Sequence, residues 1–372
     1  MEPRLVFLLD NFPGPHAGTE AQFWLLYRSL DHGRYRPLIV TLKPSAFLER
    51  EVGAGGYECL GIDSLKSPLS WLRAGSLVRR LKRQGFSVAH LYLNDVSLLF
   101  PPLLHWAGLG VIVSRRDLGF WYSPGLLRVL RFNRRFVDRV VANCAAVKAA
   151  VMQAEGYAAP TVEVILNGFE RPGVMPVRPA SSGVVRVGML ANLRPLKRVE
   201  DAIRALAALG PDAPVELVIG GEDRVENGVS EAARLAALAA ELRIGDRVRF
   251  VGPVRDSWAF LAGLDVFLSC SDTEGLSNSI IEAMASGLPV IGSAVGGTPE
   301  LVEPGRTGYL YPARDVVALT VALENLLESA EIRARFGQAA LQLANSNLSV
   351  AALVAANERL YRALAGPRQA GP

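Results

Sequence analysis

The sequence predicts an α/β fold of two doubly wound domains, each with a parallel sheet between layers of helices. Short runs of branched apolar residues alternate with longer amphipathic stretches, which is typical of buried parallel strands joined by helices. The chain has 372 residues, 50% of them apolar and 20% charged, a globular composition long enough for about two domains. The segment RPGVMPVRPASSG, at residues 171–183, separates two series of this kind.

Six apolar runs before this linker are predicted to be strands: RLVFLLD, PLIVTL, VAHLYL, VIVS, RVVAN and VEVILN. Amphipathic stretches at Ala21–Leu30 and Leu69–Gln84 are predicted to be helices. Residues 96–113 are apolar, but they contain two prolines and a histidine. A buried helix followed by a strand is therefore the better interpretation than a membrane span.

Five runs after the linker repeat the pattern: VVRVGML, VELVIGG, RVRFVG, DVFLSC and LPVIGS. Helices are expected near 198–209, 230–242, 256–263 and 277–286. We therefore predict an N-terminal acceptor-side domain at 1–173 and a C-terminal nucleotide-sugar-binding domain at 174–345. Residues 346–372 are expected to form a helix that packs back toward the first domain, followed by a disordered tail. Ligands of such sheets bind at the carboxyl ends of the strands, in the cleft between the domains.

Charge is distributed unevenly along the chain. Residues 1–173 contain 21 lysine and arginine residues against 14 acidic residues, a net charge of +7, and residues 174–372 have a net charge of −3. The first half therefore either meets an anionic surface or substrate or carries a solvated basic face. Three widely spaced cysteines and the absence of a signal-peptide pattern at the start favour a reducing, cytoplasmic location.

Three cations follow the strand VVRVGML, where the sequence reads NLRPLKR. Arg194, Lys197 and Arg198 fall in the loop between this strand and the next helix. An arginine fork and a lysine point charge beside a helix amino terminus are suited to a diphosphate group. Loop cations are often only solvated, and that alternative stays open at this point.

Two carboxylates lie in SDTEGLSNSIIEAMASGLPV, which follows the strand DVFLSC. Glu274 precedes a predicted helix, and Glu282 lies about two turns into it among apolar residues. Gly275 permits close approach of the backbone to a ligand, and Ser277 or Asn278 can cap the helix. A carboxylate among apolar residues needs a polar partner. Ribose hydroxyls would satisfy Glu282, and so would the neighbouring backbone.

These segments resemble the retaining nucleotide-sugar glycosyltransferases of family 4. The most specific matches are the two glutamates of EGLSNSIIEAMASGLPVI, the following GGTPELV and TGYLY, and NLRPLKR. ILNGFE at 165–170 and HAGTE at 16–20 are similar to further elements of that family. The resemblance covers nearly the whole chain and implies the GT-B fold, in which two Rossmann-like domains face each other across a cleft.

The resemblance also implies roles for individual residues. Arg194 and Lys197 would bind the donor diphosphate and, with Glu274, form the catalytic set. Glu282 would hold the ribose hydroxyls. The transferred sugar would contact Glu274 and the backbone of Gly275, Leu276 and Ser277. Gly18 would bring backbone amides to the diphosphate, and the base would lie near 252–255, which includes Val254. No metal or other cofactor is expected, because arginine and lysine take the place of a divalent cation.

The sequence departs from the family pattern at three positions. Arg116, followed by Asp117, stands where many relatives have a histidine, Ala17 replaces a glycine of the first loop, and Met189 replaces a phosphate-binding arginine. His16, Arg116 and Asp117 are therefore only candidate contacts of the acceptor or the sugar. Salt bridges within the loop are the alternative for Arg115 and Arg116. His90, within a strand, is expected to be a core residue.

The segment 125–141 carries Arg128, Arg131, Arg134 and Arg135 at helical spacing beside apolar residues. Relatives that use lipid-linked acceptors dock on anionic membranes through such helices, so peripheral contact with the inner face of the membrane is expected. A solvated cationic face is the alternative. The segment lacks the interleaved aromatic residues typical of nucleic-acid grooves, so no nucleic-acid partner is expected.

The function predicted from these observations is retaining transfer of a hexosyl or N-acetylhexosaminyl group from a UDP- or GDP-sugar. The acceptor would be a glycan or a lipid-linked molecule of surface polysaccharide or glycolipid biosynthesis. Two alternatives remain open, a nucleotide-sugar epimerase of the same fold and a non-catalytic nucleotide-sugar-binding subunit. A dinucleotide oxidoreductase is disfavoured, because no G-x-G-x-x-G follows a strand and opens a helix.

Overall fold

The computed structural model describes residues 2–15, 18–177, 183–226 and 228–365. It divides the chain into two compact units. Unit 1 comprises Met1–Gly168 together with Val350–Pro372, and unit 2 comprises Phe169–Ser349. Each unit is an α/β structure around a parallel sheet, which confirms the fold class expected from the sequence.

Unit 1 is built on a seven-stranded sheet in the order β3-β2-β1-β4-β5-β6-β7, with every pairing parallel. The order reverses direction at β1, so connections leave this strand on both sides, as in doubly wound sheets. The strands are β1 (Arg4–Leu9), β2 (Leu38–Thr41), β3 (Tyr57–Cys59), β4 (Phe86–Tyr92), β5 (Gly110–Arg115), β6 (Arg139–Ala142) and β7 (Val162–Val164).

The helices of unit 1 cover this sheet. They are α1 (Gly18–Ser29), α2 (His32–Tyr35), α3 (Ala46–Glu51), α4 (Pro68–Arg83), α5 (Asp95–Leu99), α6 (Pro101–Trp106), α7 (Pro124–Asn133) and α8 (Ala145–Glu155). Proline occupies the first turn of α4, α6 and α7, where its missing N–H leaves no helical bond unmade. The segment predicted as one helix before β5 is therefore two short helices, since Pro101 starts the second.

Unit 2 is built on a six-stranded parallel sheet in the order β12-β9-β8-β13-β14-β15, with a separate antiparallel hairpin of β10 and β11. The strands are β8 (Val185–Leu190), β9 (Val215–Gly220), β10 (Val225–Glu226), β11 (Val229–Ser230), β12 (Val248–Gly252), β13 (Val266–Ser269), β14 (Val290–Ser293) and β15 (Gly308–Tyr311). Strands β8 and β13 are neighbours although 75 residues, 191–265, separate the end of β8 from the start of β13, so the loops that follow the two strands meet at one edge of the sheet.

The helices of unit 2 are α9 (Val199–Ala208), α10 (Glu231–Glu241), α11 (Ser257–Ala262), α12 (Asn278–Ala285), α13 (Thr298–Leu301), α14 (Val316–Leu327) and α15 (Ala330–Asn347). Val187, Leu217, Val266 and Ile291 of the central strands are buried in a core that α9, α10 and α14 cover. Burial of these strands on both faces explains why they are continuously apolar in the sequence.

The last helix, α16 (Val350–Leu364), belongs to unit 1. Leu353, Leu360 and Tyr361 of this helix are buried in the same core as Phe7 of β1. His90 of β4 is buried between Tyr361 and Ser114, with Nδ1 2.9 Å from the Tyr361 hydroxyl and Nε2 2.8 Å from the Ser114 hydroxyl. His90 is thus the core residue expected from the sequence.

Strands β3 and β15 and the β10–β11 hairpin have no counterpart among the strands expected from the sequence. β3 has three residues and the hairpin strands two each, which is too short for a periodic pattern to show. β15 reads GYLY after a turn at Gly305, and it lies at the edge of its sheet.

Candidate active site

The predicted cations lie at residues 191–198, between β8 and α9, in what is called the cation loop below. Arg198 adopts the left-handed conformation at φ 49° and is the N-cap residue of α9. Its guanidinium is held by the first turn of that helix, 2.8 Å from Glu200 Oε1 and 2.8 Å from Asp201 Oδ1. Arg198 therefore stabilises the end of the loop, whereas Arg194 and Lys197 precede it.

Lys197 and Glu274 meet in the structure although 77 residues separate them in the sequence. Glu274 lies at residues 270–277, between β13 and α12, in what is called the carboxylate loop. Its Oε2 is 2.6 Å from Lys197 Nζ and accepts a hydrogen bond from the Ser271 hydroxyl at 3.0 Å. Both members of this ion pair are partly buried, so water screens their attraction less than at an open surface.

Arg194, the second predicted catalytic cation, is exposed. Its backbone carbonyl accepts a hydrogen bond from Lys197 N at 2.8 Å, which sets the turn of the cation loop. Among the described residues its guanidinium has no carboxylate partner. The charge of Arg194 is therefore available to an anionic ligand.

Asp272 links the cation and carboxylate loops, and sequence reasoning did not identify it. Its backbone N–H donates to the carbonyl of Leu196 at 2.8 Å. Its carboxylate accepts two hydrogen bonds from Arg314, at 2.9 Å from Nε and 2.7 Å from Nη2, and these hold the pKa of Asp272 below its usual value. Arg314 follows β15, 42 residues away, so only the sheet order brings it here.

A glycine-rich turn at residues 294–297, called the glycine loop, packs against the backbone of the carboxylate loop. Gly296 has φ 52°, and a Cβ at this position would overlap the carbonyl oxygen of Glu274. Gly297 N donates to the carbonyl of Gly275 at 2.8 Å, and the Ser293 hydroxyl donates to the carbonyl of Ser271 at 2.7 Å. The glycines that follow β14 therefore fix the backbone on which Glu274 stands.

The amino end of α12 directly follows the carboxylate loop, at the carboxyl edge of the unit 2 sheet. Ser277 occupies the N-cap position but its side chain does not cap the helix, because its hydroxyl bonds to the hydroxyl of Ser279 at 3.1 Å. Gly275, Leu276 and Ser277 are buried. The helix dipole places partial positive charge at this end, which favours an anion.

Glu282 lies on α12 among the buried residues Ile281, Ala283 and Met284, and is itself partly buried. Burial raises the pKa of its carboxyl, and a hydrogen bond from the side chain of Ser257 opposes that rise. Ser257 is the first residue of α11. The polar group that contacts Glu282 is thus the side chain of Ser257, which no sequence pattern singles out.

Val254, predicted to lie near the nucleotide base, follows β12 and is partly buried. A Cβ on Gly220, the last residue of β9, would lie 2.5 Å from Val254 Cγ2. At the next residue, Gly221, a Cβ would overlap the carbonyl oxygen of Ala191 in the cation loop. Glycine at these two positions therefore lets the segments after β8, β9 and β12 pack together.

The predicted acceptor residues belong to unit 1. His16 and Ala17 lie outside the described residues, and Gly18 is the exposed first residue of α1. Asp117 accepts hydrogen bonds from Gly119 N at 2.7 Å and from Trp121 Nε1 at 3.1 Å, and burial raises the pKa of its carboxyl. Asp117 thus holds its own loop.

Arg115 and Arg116, adjacent in sequence, have different surroundings. Arg115 is 5% exposed and forms two hydrogen bonds with the fully buried Glu155, at 2.6 and 3.1 Å. Burial lowers the pKa of Arg115, but the Glu155 carboxylate raises it above its ordinary value. Arg116 instead donates to Asn167 Oδ1. Arg115 therefore forms a salt bridge with α8 and not within its own loop, and Arg116 has no ion pair among the described residues.

Asp10, at the end of β1, is a further polar residue that sequence reasoning missed. Its carboxylate accepts hydrogen bonds from the backbone N–H groups of Asn94, Asp95 and Val96, at 2.8–2.9 Å, and so caps α5. Burial raises its pKa to about 6, although these bonds oppose the rise. Its partners show that its role is structural.

The basic segment is only partly helical. α7 ends at Asn133, and Arg134–Phe136 form a 3-10 turn before β6. Arg131 donates to the carbonyl of Ala154 at 2.8 Å and Arg134 to that of Gly156 at 2.8 Å. The helical spacing of the arginines therefore corresponds to an α-helix only as far as Asn133, and Arg131 and Arg134 cap the end of α8.

The described part of the chain contains no helix with the length and apolar character needed to cross a bilayer. It also shows no group of three histidine, cysteine or acidic side chains arranged to hold a metal ion.

Comparison with known proteins gives concordant matches. Residues 178–343 match the family model of the glycosyl transferases group 1. A D-inositol 3-phosphate glycosyltransferase of Streptomyces scabiei is 31% identical over 342 residues, which is 83% of this chain and 76% of that protein. An N-acetyl-alpha-D-glucosaminyl L-malate synthase of Bacillus anthracis is 30% identical over 172 residues, 46% of this chain and 44% of that protein.

Among solved structures, that of Anabaena HepE in complex with UDP superimposes with a TM-score of 0.82. The alignment covers 97% of this chain and 100% of HepE at 22% sequence identity. A likeness at this identity shows the fold, which is GT-B. With the family model and the Streptomyces relative, it follows that this chain belongs to the glycosyl transferases group 1.

Proposed function

We propose that this glycosyltransferase moves a hexosyl or N-acetylhexosaminyl group from a nucleoside diphosphate sugar to a hydroxyl acceptor with retention of configuration. The observation that carries the proposal is the meeting of Lys197 and Glu274, with Arg194 nearby in sequence, beside the uncapped amino end of α12. A diphosphate needs cations and backbone amides, and a sugar needs hydrogen-bond acceptors. This edge of unit 2 offers both.

Arg194 and Lys197 bind the diphosphate and stabilise the negative charge that develops on the leaving nucleotide. Lys197 is paired with Glu274 before the donor binds. A diphosphate carries more negative charge than one carboxylate, so Lys197 turns to it and Glu274 is released. Glu274 and the backbone of 275–277 then accept and donate hydrogen bonds to the transferred sugar.

The acceptor attacks from the face that the leaving group vacates, and the donor phosphate takes its proton. This chemistry uses the two cations in place of a divalent metal, so transfer continues in the presence of a chelator. The nucleotide is a uridine or guanosine diphosphate, with its base near Val254 and its ribose hydroxyls on Glu282. The hydrogen bond from the side chain of Ser257 to Glu282 supports this role, since serine and ribose both offer a hydroxyl donor.

The acceptor is a glycan or a lipid-linked molecule used in surface polysaccharide or glycolipid synthesis. The relatives named for D-inositol 3-phosphate and L-malate add small hydroxylated anions to the acceptors worth testing.

Unit 1 contacts the inner face of an anionic membrane through α7 and its surroundings. Phe132 is 51% exposed and Trp106 72%, and both rings contact Phe136. Arg128 is exposed, and the Arg135 guanidinium lies 5.3 Å from the Phe132 ring. Exposed aromatic rings among arginines favour the headgroup region.

Vesicle sedimentation tests this contact. Binding to vesicles with phosphatidylglycerol is expected to fall at least tenfold when Arg128 and Arg135 are both changed to glutamate. Equal binding to vesicles of phosphatidylcholine alone would refute the electrostatic contact.

Calorimetry with UDP, GDP and ADP tests the donor site, followed by transfer assays across a panel of nucleotide sugars with and without EDTA. Lys197→Ala is expected to lower turnover about 10²-fold with an unchanged melting temperature. Arg249→Ala, which removes an exposed cation of the same unit, is the matched control. Failure of all three nucleotides to bind at millimolar concentration would overturn the proposal. Conversion of a donor without any acceptor would indicate an epimerase.

A further inference from the structure

Arg116 is a partly buried cation for which no described carboxylate forms an ion pair. It follows directly after β5, and its guanidinium donates to the amide oxygen of Asn167. Among the described residues it has no ion pair, and the only carboxylate that raises its pKa from a distance is Glu20. Burial lowers the pKa of Arg116. A desolvated guanidinium without a counter-charge is unfavourable unless an anion completes it.

The neighbouring residue shows how the chain balances such a charge where it needs to. Arg115 has the buried carboxylate of Glu155 within hydrogen-bond distance at both oxygens. Arg116 has neutral neighbours from three adjacent strand ends instead, namely Tyr92, Asn143 and Asn167. Burial raises the pKa of Tyr92 to about 12, so it stays uncharged. Of these two adjacent arginines, only Arg116 therefore has a guanidinium without a described carboxylate partner.

Asn143 gives a second, independent observation at the same strand ends. Its Nδ2 donates to the carbonyl of Arg116 at 3.2 Å, which fixes the orientation of the amide. Its Oδ1 is buried and has no donor among the described residues. A hydroxyl of a ligand would satisfy this oxygen, since buried polar atoms are normally hydrogen-bonded.

We infer that Arg116 binds an anionic group, a phosphate or a carboxylate, of a hydroxylated sugar acceptor at the carboxyl edge of the unit 1 sheet. The inference rests on the proposed transfer reaction and names the acceptor class for it. A guanidinium offers two parallel N–H donors to either group. The hydroxyls of the same acceptor lie toward Asn143.

Two substitutions test the charge of Arg116 in opposite ways. Arg116→Met removes it, whereas Asn167→Asp keeps the arginine and gives it an internal carboxylate in place of an amide oxygen it already contacts. Both are expected to weaken binding of an anionic acceptor at least tenfold, and Arg116→Lys is expected to restore part of it. Arg359→Met, an exposed arginine of α16 in the same unit, is the matched control.

Calorimetry on the full chain saturated with UDP uses three anionic probes, D-inositol 3-phosphate, L-malate and inorganic phosphate, with inositol as the uncharged comparison. At least one anion is expected to bind the unmodified chain more tightly than inositol does, and more weakly as salt concentration rises. The melting temperature of Asn167→Asp is expected to be no lower than that of the unmodified chain. A melting temperature that is not lowered shows that any loss of anion binding in Asn167→Asp does not come from unfolding.

Three outcomes would overturn the inference: no anion binds, the anions bind both variants as well as the unmodified chain, or Arg116→Met weakens UDP instead of the anions. The last outcome would assign Arg116 to the donor diphosphate. Failure of UDP to bind the unmodified chain would refute the proposed transfer, and the anion titrations repeated without UDP would still decide the role of Arg116.

Discussion

Lys197, proposed to bind the diphosphate, and Glu274, proposed to bind the transferred sugar, form an ion pair before any donor is bound. Glu274→Gln removes the charge that holds Lys197 while keeping the shape of the side chain. UDP affinity is expected to stay the same or rise up to about tenfold, because the diphosphate no longer competes with a carboxylate. Sugar transfer is expected to fall at least tenfold, because a neutral amide oxygen accepts hydrogen bonds from the transferred sugar more weakly than a carboxylate does.

Calorimetry with UDP and a transfer assay measure these two effects separately. Glu303→Gln is the control, since Glu303 pairs with Arg306 at an exposed site of the same unit. A parallel loss of UDP affinity and transfer in Glu274→Gln would contradict the competition between the carboxylate and the diphosphate.

Glu282 is expected to lower the stability of the folded chain at neutral pH while it contributes to nucleotide binding. Its carboxyl pKa is raised by burial, so the folded state holds the proton more tightly than the unfolded chain does. This carboxyl therefore favours folding at acidic pH, and its contribution is lost as the pH rises through the folded pKa. At neutral pH, Glu282→Gln is expected to raise the melting temperature.

The same variant is expected to weaken UDP about tenfold but to leave pyrophosphate unaffected, because pyrophosphate has no ribose. Calorimetry with both ligands and thermal unfolding measure these effects. An equal loss for UDP and pyrophosphate would place Glu282 at the phosphates instead.

At the scale of elements, the glycine loop is expected to control the carboxylate loop. Gly296→Ala forces a Cβ against the carbonyl of Glu274, so the backbone that carries the glutamate must move. Gly305 also has positive φ, at 75°, but a Cβ there meets nothing within 4 Å. Gly305→Ala therefore shares the backbone strain without the overlap and is the matched control.

Donor KM measured by steady-state kinetics is expected to rise at least tenfold in Gly296→Ala and less than twofold in Gly305→Ala. Similar losses in both variants would mean that the strain of positive φ, not the contact with Glu274, matters.

The helix α16 depends on a buried histidine. His90 bonds to Tyr361 and Ser114, and burial lowers its pKa to about 3. In the unfolded chain His90 binds a proton near pH 6.5, whereas in the folded chain it stays neutral until the pH is much lower. The free energy of unfolding therefore falls as the pH drops below 6.5. Between pH 6.5 and pH 5 the loss from this residue is about 2 kcal/mol.

Denaturant unfolding at pH 7 and pH 5 measures this slope, which His90→Gln is expected to flatten. Tyr361→Phe leaves one ring nitrogen without its partner and is expected to cost about 1–3 kcal/mol at pH 7. An unchanged pH slope in His90→Gln would assign the acid sensitivity to other groups.

The sequence predicts an element well when the pattern that indicates it lies within the element itself. The central strands of both sheets and the helices around the site are recognisable because each has a local hydrophobic pattern, which the edge strands β3 and β15 lack. The pairing of Lys197 with Glu274 needs the order of β8 and β13, and that of Asp272 with Arg314 needs the place of β15. Neither order is written in a local pattern, so Asp272, Arg314 and Ser257 could not be predicted.

At the scale of the whole molecule, the proposed donor site is built from unit 2. The cation, carboxylate and glycine loops and the residues around Glu282 all fall within Phe169–Ser349. Hydrogen exchange with and without saturating UDP is therefore expected to show protection at 191–198, 270–277 and 294–297. Bound ligand stabilises the folded state by about 2.7 kcal/mol at a hundredfold excess over Kd, enough to slow exchange about a hundredfold.

The same hydrogen-exchange experiment on Glu282→Gln provides the comparison with the unmodified chain. At a UDP concentration that saturates the unmodified chain, this variant is expected to show reduced protection in the same three loops, because the loops are tied together by backbone bonds and respond as one. Protection confined to the loops of unit 1, at 116–123 or around Gly18, would place the nucleotide on the other sheet. It would also make the contact between Lys197 and Glu274 a structural ion pair.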